Sequence, residues 1–513
     1  MLRAMNRLNS CARLMVVLMT VFFAQPVAAA PWSPPAPVLK MGYARATEIL
    51  IDVFKDPRFT SDVCTPYLEA LQKTLGSISI RKLPGIEVRE DELKLLDHSW
   101  QIRQVLHSRL SEYDESCVRQ IQSVFRSFRF VEDYVSEHLE CVENVSVAAM
   151  KSKEEKAFFD AEPVPMRSER PYYRFVQKDD AKTVADFAAG DLLIARGISF
   201  LSAMIARLGV YSTQFSHIVF VTRTPEGTPQ TIESYVGEGV KYHQQEWALK
   251  NENSRLLWLR PKERSIGQKA SDYMRARLDK AIAENDPILY DYGLDFKDDT
   301  TMSCAEVAQV AYQHADDSMK NFPYYPNKIQ EAKSFIDHLG LTPGETFEPG
   351  DMEIDPRFEL LGEFTDLRLT RESRQMDAIM TKVFEWMIDQ GYELNDSFKS
   401  NLAGGLIKTM SKGPFYKLTK LLAGRDVRQI PRKMLRTSVL IDQIGSAMLK
   451  QLQALDDTQK ALTGWPMDYN ELYQALEAMR VADLAKYLNP KENGKPKFHQ
   501  WLRPNSTSAS SSR

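Results

Sequence analysis

Four short runs between residues 190 and 261 constrain this chain most. GDLLIARG (190–197) is apolar and closed by a glycine, and SHIVFVTRT (216–224) and QTIESYVGEGV (230–240) are rich in Val, Ile, Thr and Tyr. RLLWLRP (255–261) is a fourth candidate. β-Branched and aromatic residues suit a pleated, half-buried surface, and TPEGTP (224–229) between the second and third runs reads as a hairpin turn. The run ASDYMRARLDKAIAEN (270–285) is then amphipathic and helical, and AEVAQVAYQHA (305–315) continues as a second helix. The expected fold is therefore α+β, with a small antiparallel sheet.

Helical periodicity dominates on both sides. ATEILIDVF (46–54), the stretch 91–113 and the stretch 117–142 carry apolar residues at three- and four-residue steps. Val118, Ile121, Val124 and Phe125 form one such stripe, expected to face a bundle core. Segments 373–391, 432–455 and 469–488 repeat the pattern. We expect a helical domain over 35–150, a charged, proline-bearing linker over 151–185 and the mixed domain over 186–365. A C-terminal helical region over 366–490 and a disordered tail over 491–513 follow.

The N-terminus reads as a secretory signal peptide over 1–29. Arg3, Arg7 and Arg13 precede an apolar run from Leu14 to Ala24, and Val27 and Ala29 suit the positions before a cleavage site. No cysteine follows that run, which argues against a lipid anchor, and no later segment is apolar for long enough to span a bilayer. The expected location is outside the cytosol, in a periplasm or secreted. Of 66 basic and 69 acidic residues, three arginines leave with the signal, so 63 and 69 remain and the formal charge is −6. That balance argues against non-specific nucleic-acid binding.

Cys64, Cys117, Cys141 and Cys304 remain after cleavage. An oxidising compartment permits a disulfide among the first three, with the pairing left open. No Cys/His cluster has zinc-ligand spacing, so no metal or cofactor is expected.

Cys304 sits where a polar, acidic stretch turns into a helix, with Thr300, Thr301 and Ser303 as candidate caps. A thiol becomes a nucleophile as thiolate, and both a helix N-terminus and a neighbouring imidazolium favour that form. Among the histidines, His217 differs in opening an apolar strand, with Val219 and Val221 on its face by alternation. Glu233, on the next strand, is the candidate to orient the imidazole. Isolated from one another, the bland readings are a structural strand histidine and an exposed glutamate.

The order of these motifs resembles the YiiX/YebB-like family, the circularly permuted branch of the NlpC-type, papain-like cysteine hydrolases. The resembling positions are Gly190-Asp191 with Arg196-Gly197, Ser216-His217, Ile232-Glu233, Tyr290-Asp291 with Leu294-Asp295, and Ser303-Cys304, followed by the segment 347–364. MSCAEV departs from the commoner Cys-Ser-Glu pattern, its serine preceding the cysteine. The resemblance covers about 186–365 and leaves the helical flanks unmatched. It implies a permuted papain-like core and a Cys304–His217–Glu233 site, with Asp191, Ser303 and Tyr292 around it. It also implies amide or ester substrates such as murein peptides, other amides or acyl lipids, cleaved through a thioacyl intermediate.

The rival readings are a binding or scaffold protein on a degenerate hydrolase core, partnered through its helical regions, and a lipid acyltransferase or lipase. For the latter, the apolar stretch 199–209 would wall an acyl pocket, its plainer role being core. A redox role for Cys304 would need a resolving cysteine, which the mixed region lacks.

Overall fold

The computed structural model describes residues 33–35, 43–77, 79, 81, 89–142, 173–175, 184–244, 253–294, 296, 298–330, 333–341, 344–395 and 430–505. The signal segment, most of the expected linker, Asp295, the Cys141 side chain and the residues from 506 onward lie outside them.

The N-terminal helices are α1 (Tyr43–Lys55), α2 (Ser61–Ser77), α3 (Arg89–Ser108) and α4 (Glu115–Val142). The α4 stripe of Val118, Ile121, Val124 and Phe125 is fully buried in the core that these helices share. Cys64 in α2 and Cys117 in α4 form a disulfide with their Cα atoms 5.6 Å apart.

The middle of the chain supplies β1 (Tyr173–Phe175), β2 (Leu192–Gly197), α5 (Phe200–Ile205), β3 (His217–Arg223), β4 (Pro229–Tyr235), β5 (Gly239–Gln244) and β6 (Asn253–Pro261). After these come α6 (Arg264–Glu284), α7 (Cys304–Ala315), β7 (Asn327–Lys328), α8 (Lys333–Leu339), β8 (Glu345–Thr346) and β9 (Phe358–Thr365). Seven strands make one sheet in the order β1-β9-β6-β2-β3-β4-β5, antiparallel throughout. The sheet is thus wider than expected, gaining β1, β5 and β9. β1 lies inside 151–185, which corrects the reading of that stretch as linker alone: Tyr173 to Phe175 pair with Phe364 to Gly362 at the sheet edge. A backbone that completes a ladder satisfies its donors whatever its side chains, so composition hides such a strand.

The β3–β4 hairpin closes as its sequence predicts. Gly227 takes φ +87°, a left-handed conformation that glycine adopts without a Cβ clash, and its N–H donates to the Thr224 carbonyl. On one face of the sheet, Leu192, Ile194, Ile218, Phe220, Ile232 and Leu257 join the core that holds α6 and α7. Alternation then puts Val219, Val221, Thr231 and Glu233 on the opposite face.

Buried ion pairs join the N-terminal helices to this sheet. Glu363 of β9 receives both Arg103 of α3 and Arg255 of β6, and Arg255 also meets Asp133 of α4 at 2.5 Å. Arg129 of α4 clasps Glu353 through both carboxylate oxygens. Charges this deep persist only when paired, so the helices and the sheet are mutually specified.

The C-terminal part contains α9 (Leu367–Asp389), β10 (Tyr392–Leu394), α10 (Arg432–Thr463), α11 (Tyr469–Leu488), α12 (Pro490–Asn493) and β11 (Leu502–Pro504). Phe200, Ala203, Met204 and Leu208 are buried among these helices. They are core, the plainer of the two roles expected for 199–209. The tail expectation is corrected over 491–505. Asp483 of α11 accepts the N–H groups of Lys497, Phe498 and His499, Phe498 and His499 are fully buried, and β11 pairs with β10. The polar, Gly- and Pro-bearing composition of that stretch hides the one carboxylate that organises it.

Candidate active site

Cys304 is the first residue of α7, and Ser303 is its N-cap. The Ser303 hydroxyl accepts the Glu306 N–H at 3.4 Å, while Glu306 Oε2 accepts the Ser303 N–H at 2.6 Å, a reciprocal capping box. The Cys304 N–H is among the helix-start donors that have no intrahelical acceptor. The incoming chain is anchored to the sheet. Met302 N–H donates to the Leu289 carbonyl at 2.9 Å, and the Ser234 hydroxyl of β4 donates to the Met302 carbonyl at 2.5 Å. The thiol is free and buried, 8 % exposed.

Its Sγ contacts the Ser216 carbonyl at 4.0 Å, one residue before His217. His217 Nε2 lies 2.9 Å from Glu233 Oε2, which leaves the other ring nitrogen to serve the sulfur. Register explains the pairing. Val221 stands opposite Thr231, so the ladder carried back along β3 sets Glu233 and Tyr235 on the His217 face. Tyr235 stacks on the His217 ring with centroids 4.8 Å apart, and its hydroxyl donates to Glu233 Oε2 at 2.7 Å. Thr231 donates to Glu233 Oε1 at 2.7 Å. Glu233 is fully buried, yet both of its oxygens are engaged.

The electrostatics follow from this geometry. Burial disfavours a charged His217, but hydrogen bonding and charge interaction with Cys304, then with Glu233, outweigh it and push the ring up to about 9. Burial also raises the Glu233 carboxyl, but His217, His243 and Thr231 together hold it below its ordinary value.

Beside the helix start lie two further carboxyls. Burial is the main cause that pushes Glu306 up to about 8, and the negative charge of Asp291, to which Glu306 also hydrogen-bonds, adds to it. Burial and the like charge both disfavour ionisation of Glu306. Tyr290 is buried here as well, its hydroxyl held protonated by burial first and then by the charges of Cys304 and Glu306.

The predicted residues separate as follows. Cys304, His217, Glu233 and Ser303 meet at one end of the sheet. Tyr292 borders the group, its ring 5.0 Å from Tyr290 and its hydroxyl accepting the Gly237 N–H at 2.9 Å. Asp191 does not join them. Its carbonyl pairs with Val221, toward the far end of β3 from His217, and its carboxylate accepts Arg260 and the Trp258 indole N–H at 2.7 Å each. It braces β2 against β6 and is not near the thiol. Thr231, Tyr235 and Glu306 are the neighbours that sequence reasoning missed, while Tyr290 and Asp291 entered it only as a resembling motif. The first two were signalled by the two-residue period around Glu233, and Glu306 by its place three residues after the cap.

No protein-family model matches the chain, and comparison with curated proteins and with solved structures yields no match. Among the described residues, no group of three or more His, Cys, Asp or Glu side chains is arranged to hold a metal ion. No described helix is long and apolar enough to cross a membrane.

Proposed function

We propose that the chain is an exported cysteine hydrolase of the amidase or peptidase type, acting on an amide or ester of a cell-envelope substrate. The observation that carries this reading is the free thiol at the start of α7 beside an imidazole whose Nε2 is 2.9 Å from a buried carboxylate. His217 takes the thiol proton, and Cys304 Sγ attacks the carbonyl carbon. The Cys304 N–H faces the developing oxyanion. The C–N or C–O bond breaks as His217 returns its proton to the leaving group, and water, deprotonated by His217, then releases the acyl group from sulfur. A ring with raised proton affinity suits the first half of the cycle, in which it holds the proton of Cys304.

The motif order supports a permuted papain-like core, since the strands of the site precede the cysteine helix in the chain. The Cys64–Cys117 disulfide fits an oxidising compartment, and so supports export.

The test is labelling of the exported protein with an acyl-enzyme trap at neutral pH, read by intact mass and peptide mapping. Label on Cys304 that is absent in Cys304→Ala and falls sharply in His217→Ala supports the reading and justifies a screen of murein fragments and lipid amides. A folded protein whose Cys304 ignores the trap, or reacts equally without His217, overturns it in favour of a scaffold.

A further inference from the structure

A cavity of about 300 Å³ lies between α2, α4 and α11, and none of its lining residues belongs to the Cys304 site. Its walls include Leu75, Phe130, Val131, Tyr134, Tyr469 and Tyr473, and Arg126 also lines it. Among the described residues the other arginines of the interior are all neutralised: Arg103, Arg119, Arg129, Arg196, Arg207, Arg255, Arg260 and Arg374 each meet a carboxylate. Arg126 has no carboxylate or hydrogen-bond acceptor among the described residues. Its Nε is buried and unsatisfied, and its guanidinium rests over the Phe130 ring at 5.0 Å.

The acids nearby are already engaged. Asp377 holds Arg196 and Arg207, and Asp468 caps α11 by accepting the Glu471 N–H at 3.0 Å. Two hydroxyls of the lining, Tyr134 Oη and Tyr469 Oη, are also buried without partners. Gln72, Ser123, Ser127, Asn470 and the capping Asp468 supply the rest of the polar lining, and an unpaired guanidinium with two idle donors in this mainly apolar chamber forms an incomplete set. Burial, with the neighbouring Arg207 charge, works against the Arg126 cation, which an anion would restore.

We propose that this cavity binds a small amphipathic carboxylate, its carboxylate on the Arg126 fork and its apolar body among Leu75, Phe130, Val131 and the tyrosine rings. One guanidinium matches one planar carboxylate through two parallel N–H···O bonds, and the apolar walls demand a ligand with a body to bury. The site is independent of the hydrolase reading.

The experiment is calorimetric titration of the full exported protein with octanoate, octanol and inorganic phosphate. Saturable octanoate binding is expected, at least about tenfold tighter than octanol and weakened at least about tenfold by Arg126→Met. Ser127→Trp, which fills the lining without touching the charge, should weaken octanoate equally, and circular dichroism melts check that each variant is folded. Absence of saturable octanoate binding to the wild type overturns the proposal. So does octanoate binding that survives in a folded Arg126→Met or Ser127→Trp protein, or phosphate or octanol binding as tightly as octanoate.

Discussion

Tyr235 stacks on His217 at 4.8 Å while its hydroxyl holds Glu233 at 2.7 Å, so one side chain fixes both the plane of the imidazole and the carboxylate that orients it. Three consecutive same-face residues of β4, Thr231, Glu233 and Tyr235, thereby support one residue of β3.

Glu233→Gln keeps the shape of this arrangement and removes its charge. Trap labelling of Cys304 at neutral pH should fall by about 100-fold or more, the usual span for losing an oriented base. Tyr235→Phe keeps the stack and loses one hydrogen bond, so its loss should be smaller. Second-order labelling rates measured across pH decide both.

His217 should titrate near 9 by imidazole NMR, and Glu233→Gln should move that midpoint down toward the ordinary value of 6.5. The stability that follows has a definite sign. With the folded value raised, the contribution of His217 is fully present below 6.5 and is lost as pH rises through about 9. Chemical unfolding over that window should be steeper in pH for wild type than for His217→Gln.

Glu306 gives a second pH signature. Its folded value of about 8 against 4.5 means that its contribution is fully present below 4.5 and is lost as pH rises through about 8. Glu306→Gln still accepts the Ser303 N–H but cannot ionise. The variant should hold its melting temperature between those limits where wild type loses some.

Glu363→Gln should destabilise the protein, by less than the about 3–5 kcal/mol of a fully orphaned buried charge. Arg103 and Arg255 both meet that carboxylate, whose side chain is 1 % exposed, and keep Glu132 and Asp133 as their further partners. Denaturant midpoints compared at equal m-value test this.

Reduction of Cys64–Cys117, separated by 53 positions, should cost about 4 kcal/mol on a chain-entropy account. The disulfide lies in the α2–α4 core, away from Cys304. The labelling rate of Cys304 should therefore persist in a folded Cys64→Ala/Cys117→Ala variant.

By itself the sequence determined whatever depends on local period and local chemistry. Alternation in SHIVFV and TIESYV settled the β3–β4 hairpin and put His217 and Glu233 on neighbouring strands, and the Ser303–Cys304 step settled where α7 begins. Only the tertiary structure decided what depends on partners distant in the chain. Asp191 reads like a site residue until Arg260 and Trp258 claim it, and Cys64 could have met any thiol until α2 packed on α4. β1 and the stretch ending at β11 have no periodic signal, because their order comes from ladder bonds to β9 and β10 and from the Asp483 carboxylate. Side-chain period reports which face is apolar. It carries no record of which polar groups a fold will bury against one another, and in this protein those buried polar pairings hold the helices, the sheet and the candidate site together.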